Sequence, residues 1–233
     1  MSKKEIESKH DEVILDVGET LTKAEVFIEK NKKPITYVVV GIIAGFAAYF
    51  GFKYLYLDPL EKEAQLELYK AQENIDRDSL RLALDGDGVS MGLLEIADEY
   101  SLTKAGNLAH YYAGVCYLQL GEYEEAIRQM DRFKTDDPVF SVLAKGVIAD
   151  AFLEIGQPKE ALEYYNKAVK ASSNEFVVPF YLKKAGMLAE EQGRLKDARS
   201  YFERLKNDFP KSQHALDVDK FLARIEAKQS QKK

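Results

Sequence analysis

Three histidines, one cysteine and a few paired acids are the residues of this 233-residue sequence whose chemistry could matter most. His10, His110 and His214 are far apart, and none belongs to the HExxH spacing that puts two imidazoles on one helical face. No GxSxG elbow, CxxC pair or phosphate-cradling glycine loop accompanies them, so no nucleophile or metal site is apparent. Cys116 directly precedes Tyr117 in an apolar stretch and reads as a small core residue; a single cysteine also excludes an intramolecular disulfide. Asp85-Gly86-Asp87-Gly88 begins like a calcium loop, but an EF-hand needs further oxygen ligands and a glutamate at loop position 12, so a polar turn is expected. Glu124-Glu125 and Glu190-Glu191 read as solvated helix faces. The residues therefore predict a protein that is not an enzyme and needs no cofactor or metal.

The elements that would carry other functions follow from composition. Acidic residues outnumber basic ones, 39 to 33, a balance opposite to the basic surplus that phosphate binding requires, so a nucleic-acid partner is not expected. With 46% hydrophobic and 31% charged residues, the sequence can fill a core and wet a large surface. Only six prolines and 14 glycines interrupt a background of good helix formers, which predicts an all-α protein.

Residues 35–52, ITYVVVGIIAGFAAYFGF, carry no charge, and after Lys53 the apolar character resumes through Leu57. Crossing ~30 Å of hydrocarbon at ~1.5 Å per residue takes about 20 such residues, so residues 34–57 are expected to form a single transmembrane helix. Tyr37 at one end and Tyr49, Tyr54 and Tyr56 at the other suit the two interfaces. The long, mixed-charge leader and the bulky end of the run argue for an uncleaved anchor rather than a signal peptide. Lys23, Lys30, Lys32 and Lys33 precede the span, against the sparser Lys53, Lys62 and Lys70 after it, which places the N-terminus in the cytoplasm. Gly41, Gly45 and Ala48 share a face, flanked by Ala44 and Gly51, where another helix could approach closely; such spacing also arises incidentally in membrane spans. In the expected cytoplasmic tail, residues 1–33, Ile14, Val17, Leu21, Ala24 and Ile28 form a heptad-like stripe, equally suited to lying on the membrane or docking on a partner.

Beyond the span, Asp58-Pro59 reads as a helix start, and residues 58–106 are expected to supply further helices. Thereafter the sequence repeats itself. AGVCYLQLGEYEEAIRQMDRFKTDDP, ADAFLEIGQPKEALEYYNKA and GMLAEEQGRLKDARSYFERLKNDFP align, with Gly121, Gly156 and Gly193 spaced 35 and 37 residues apart. These offsets resemble tetratricopeptide repeats (TPRs), helix pairs that stack into an α-solenoid, here over residues 107–211 with a capping helix and tail at 212–233. Small residues at Gly114, Ala149 and Gly186, and at Ala126, Ala161 and Ala198, would let paired helices approach. Gly121, Gly156 and Gly193 would end the first helix of each pair in a left-handed conformation.

The repeat register assigns Leu108, Tyr111, Val115, Leu118, Leu143, Asp150, Leu153, Phe180, Lys183 and Met187 to a concave groove. Members of the family that hold peptide C-termini use Lys, Arg and Asn there, and Tyr111, Val115, Gly146 and Asp150 depart from that clamp. A mostly apolar groove would suit docking of hydrophobic polypeptide segments. The sequence leaves open whether the helices of residues 60–100 fill it.

One span, a cytoplasmic N-terminus and an exported repeat domain together resemble the YfgM-like ancillary subunits of the Sec translocon. The likeness is sharpest at YYAGVCYLQLGEYEEAI and FPKSQHALDVDKFL. It implies a bacterial inner-membrane protein with a periplasmic C-terminal domain, associated with the SecYEG channel and a membrane-anchored periplasmic chaperone of the prolyl-isomerase type. Its role would be that of a chaperone or adaptor passing on exported polypeptides. A membrane-anchored scaffold for envelope assembly or division is the alternative.

Overall fold

The structure, a computed structural model, describes residues 25–231, which divide into two units at Asp58/Pro59. Much of the expected tail stripe, Ile14 to Ala24, lies outside the described residues. All regular structure among those residues is helical, apart from an isolated bridge between Gly86 and Met91.

The first unit contains α1 (Lys32–Phe52), none of whose residues is buried, followed by a π-helical turn over Lys53–Leu57. The helical stretch Lys32–Asp76 is the one among the described residues with a segment long and apolar enough to cross a membrane. Asp58 does not open a new helix as an N-cap: its φ of -67° and ψ of -41° are helical. The widened π turn accounts for the difference, because proline lacks the N–H of a regular helix and its ring crowds the preceding turn.

The second unit begins with α2 (Asp58–Asp76, from Pro59 onward), α3 (Leu80–Asp85) and α4 (Leu93–Glu99). Asp85 ends α3, and the chain then reverses over Gly86–Met91 as a polar turn, with Asp87 Oδ1 accepting the backbone N–H groups of Val89 and Ser90. Three helix pairs follow: α5 (Lys104–Leu120) with α6 (Tyr123–Arg132), α7 (Pro138–Glu154) with α8 (Pro158–Ala171), and α9 (Val178–Glu191) with α10 (Leu195–Asp208). A short 3-10 turn (Gln213–Ala215) leads to α11 (Val218–Ser230), which packs on α10.

Local chemistry sets these boundaries. Thr103 caps α5 by accepting from Gly106 N–H, and Asp137 caps α7 by accepting from Val139 and Phe140, with Pro138 at the first helical position. At the other ends, Gly121, Gly156 and Gly193 all have φ between +69° and +79°. After each, the next residue's N–H reaches five residues back: Glu122 to Tyr117, Gln157 to Phe152 and Arg194 to Ala189. The same Schellman closure thus turns the backbone three times.

Packing repeats as well. Gly114 lies against Met130, and Gly186 against the Phe202 ring, where a Cβ would come within 2.7 Å of a ring carbon. Ala126, Ala161 and Ala198 are fully buried on the partner helices. Tyr165, Phe202, Leu182 and Leu205 fill the core of the second and third pairs, to which α11 adds Val218 and Ile225. Ala64, Leu68 and Ala71 of α2 share a second core with Leu84, Leu93 and Ile96 and with Ala109, Ala113 and Cys116 of α5. Burial of each such apolar side chain is worth about 1.5–3 kcal/mol. Since α2 to α4 spend their apolar faces on α5 and α6, they extend the stack beyond its first pair.

Candidate docking cavity

The first helices of successive pairs, α5, α7 and α9, bring their last turns to one cavity of about 750 Å³, completed by α11. Its apolar lining is Leu118, Leu153, Met187 and Leu188, of which Met187 is 48% and Leu153 37% exposed. No residue of 60–100 lines it. The core just described explains why: α2 to α4 are packed elsewhere, so the helices that the sequence allows as a filling do not occupy this cavity.

Charged side chains frame the apolar lining. Glu190 of α9 is buried, and its carboxylate receives Arg224 through two hydrogen bonds of 2.6 Å and Lys228 Nζ at 2.7 Å. The hydrogen bonds from Arg224, ahead of those from Lys228, hold the Glu190 carboxyl below the usual range despite its burial. Asp150 of α7 accepts Lys184 Nζ at 2.7 and 2.8 Å and also the Tyr165 hydroxyl. Burial, with the Asp150 charge second, pushes the Tyr165 phenol well above its ordinary pKa, so it remains a neutral donor. Glu154 and Glu191, at the rim, complete the lining with Tyr123.

Of the residues assigned to the groove from spacing, Leu118, Asp150, Leu153 and Met187 meet in this cavity. Leu108, Tyr111 and Val115 do not. They pack into the seam between the first two pairs with Met130, Phe133, Val147 and Ile148. The reason is aromatic: the Tyr111 ring meets Phe140 edge-on at 5.0 Å and Phe133 at 5.4 Å, contacts unavailable on an open surface. Leu143 packs against the larger core. Phe180 stands beside Tyr181 and His214, and Lys183 lies over the Phe221 ring, outside the cavity lining.

The solvated face expected for the Glu190-Glu191 pair is corrected by the structure at Glu190, which is buried. Nothing in the repeat register alone singles out Glu190, Lys184, Arg224 and Lys228, yet the sequence holds a signal for them. Asp150–Lys184 and Glu190–Arg224 are both opposite charges 34 residues apart, one repeat length, which is the separation that brings neighbouring first helices into register.

No group of three or more His, Cys, Asp or Glu side chains suited to a metal ion occurs among the described residues. Burial pushes the Cys116 thiol up to about 11, which leaves it protonated and inert near neutrality.

Tetratricopeptide-repeat family models match residues 108–138 and 147–213. The protein contains tetratricopeptide repeats. The matched stretches fall on α5 and α6 and on the second half of α7 through α10, leaving residues 139–146 unmatched. Tetratricopeptide repeat protein 29 of Macaca fascicularis is 31% identical over 117 residues, 47% of this chain but 25% of that relative, so the match spans about a quarter of the relative's length. Among solved structures, the MamA protein superposes with a TM-score of 0.53 at 13% identity, over 70% of this protein and 86% of that one. A Podosopora anserina putative kinesin light chain of nearly identical TPR-like repeats gives 0.55 at 14% identity, over 73% and 88%. At such identities the likeness is one of fold alone, an all-helical TPR-like solenoid.

Proposed function

We propose that the protein is a membrane-anchored, non-enzymatic docking module that receives polypeptide segments in the cavity between its TPR first helices. The observation that carries this reading is the cavity itself, in which exposed Leu153 and Met187 sit between charged side chains already held in ion pairs. Pre-positioned side chains lose little freedom on binding, so apolar contact there is gained at small entropic cost. In this reading α1 crosses the bacterial inner membrane with its N-terminus cytoplasmic, supported by its unburied apolar surface and the lysines before it. Gly41, Ala44, Gly45, Ala48 and Gly51 would then face a neighbouring membrane helix; a Cβ added at Gly41, Gly45 or Gly51 meets nothing within 4 Å.

The resemblance to YfgM-like subunits supplies the finer reading. The repeat domain acts in the periplasm beside the SecYEG channel and a membrane-anchored prolyl-isomerase-type chaperone, receiving exported polypeptides as they emerge. Its test is a tagged pull-down of the full-length protein from native membranes in mild detergent. Channel subunits and a periplasmic foldase are the expected prey. Envelope-assembly or division proteins without the channel would replace the export role with that of a scaffold. Recovery of the protein alone in several detergents would refute both.

A further inference from the structure

The charges lining the cavity are not evenly satisfied. Each lining cation is engaged: Lys184 by Asp150, and Arg224 and Lys228 by Glu190. The two remaining carboxylates, Glu154 and Glu191, have no cationic partner among the described residues; Glu154 accepts only a long 3.4 Å contact from the Tyr123 hydroxyl. Both are solvent-exposed at the C-terminal ends of α7 and α9. There the helix dipole adds negative potential, and the last turn of α5, through Leu118, contributes a third such end. An apolar wall beneath an unneutralised negative rim is complementary to a segment that is apolar and basic together.

We propose that the cavity selects polypeptide segments in which lysine or arginine alternates with large apolar residues, and discriminates against acidic segments and terminal carboxylates. The proposal rests on the docking reading above and gives its occupant a chemistry. Apolar side chains of the segment lie against Leu118, Leu153 and Met187, and its cations meet Glu154 and Glu191. Lys184 is held by Asp150, and Arg224 and Lys228 share Glu190, so an incoming carboxylate meets cations already partnered, with the two unneutralised acids of the rim beside them.

The test uses the full-length protein in an uncharged detergent and three fluorescent peptides of one length, alternating Leu with Lys, Gln or Glu, with binding read by anisotropy. The Leu/Lys peptide should bind tightest and weaken about tenfold when Glu154→Gln and Glu191→Gln are combined, with a similar loss on raising salt. The Leu/Gln peptide should bind parent and variant alike. Both substitutions are at exposed positions, and circular dichroism checks that the fold is kept; comparison at one micelle concentration cancels partitioning of peptide into detergent. Equal binding of all three peptides, or a lysine preference that survives in the double variant, overturns the proposal while leaving docking intact. Binding of none of them overturns the docking reading and the proposal with it.

Discussion

Glu190 shows how one residue can carry structural weight that its neighbours in sequence do not suggest. It ties α9 to α11 through Arg224 and Lys228, both about half-exposed, so solvent screens part of the attraction. What remains is the loss of an acceptor, because an amide puts a buried NH2 donor against the donors of Arg224 and Lys228. We expect Glu190→Gln to lower stability by about 1–2 kcal/mol, read as a lower melting temperature of the full-length protein in detergent. Because its folded pKa is depressed, the carboxylate's contribution is present above its unfolded pKa of about 4.3 and is lost as pH falls through the lower folded value. Parent and Gln variant should therefore converge in melting temperature as the medium is acidified below about pH 4, and a constant gap would assign the effect to shape rather than charge. This role is not legible from Glu190-Glu191 alone, since adjacent acids usually share a wet face; the cue lies one repeat away, at Arg224.

Among the elements, what can be read in advance is whatever is set locally. The three glycine closures, the Asp137-Pro138 start of α7 and the small residues at pair crossings depend on a few consecutive residues, and their spacing exposes them. Asp58-Pro59 misleads because the same dipeptide fits a helix start and a widened turn, and only the surrounding helical backbone distinguishes them. Groove assignments divide for a related reason: one face of α5 borders both the cavity and the seam to α7, and Phe133 and Phe140 draw Tyr111 to the seam. At Gly121 the demand is on the backbone, because its φ of +79° is costly for any residue with a Cβ although space is available around it. Gly121→Val should destabilise the repeats by about 2 kcal/mol through that strain, measured by denaturant unfolding. Unchanged stability would show that the α5–α6 turn relaxes without consequence.

For the whole molecule, repeats and anchor make separable demands. Solenoid stability comes from neighbour-to-neighbour packing, whereas α1 has no buried residue of its own. Changing Gly41 and Gly45 together to Leu should thus leave repeat unfolding unchanged while reducing recovery of membrane partners in the pull-down. Unaltered recovery would move that contact off the small-residue face. The hydrophobic run and the repeats are legible because each spans tens of residues with a regular signal. The cavity's charge arrangement is not, because it arises only when α7, α9 and α11 stand side by side.

Cys116, the sole thiol of the protein, is fully enclosed where α5 meets the α2–α4 helices. It is therefore a ready-made clock for breathing of that junction. A thiol reagent added to the native protein can react only during excursions that expose the sulfur, so labelling speed counts how often the stack parts there. Labelling should be far slower than in denaturant, and any change on adding peptide would report on the last turn of α5, whose Leu118 lines the cavity two residues from the thiol. If peptide slowed the clock, occupancy of the cavity would be shown to hold α5 more firmly against the α2–α4 helices.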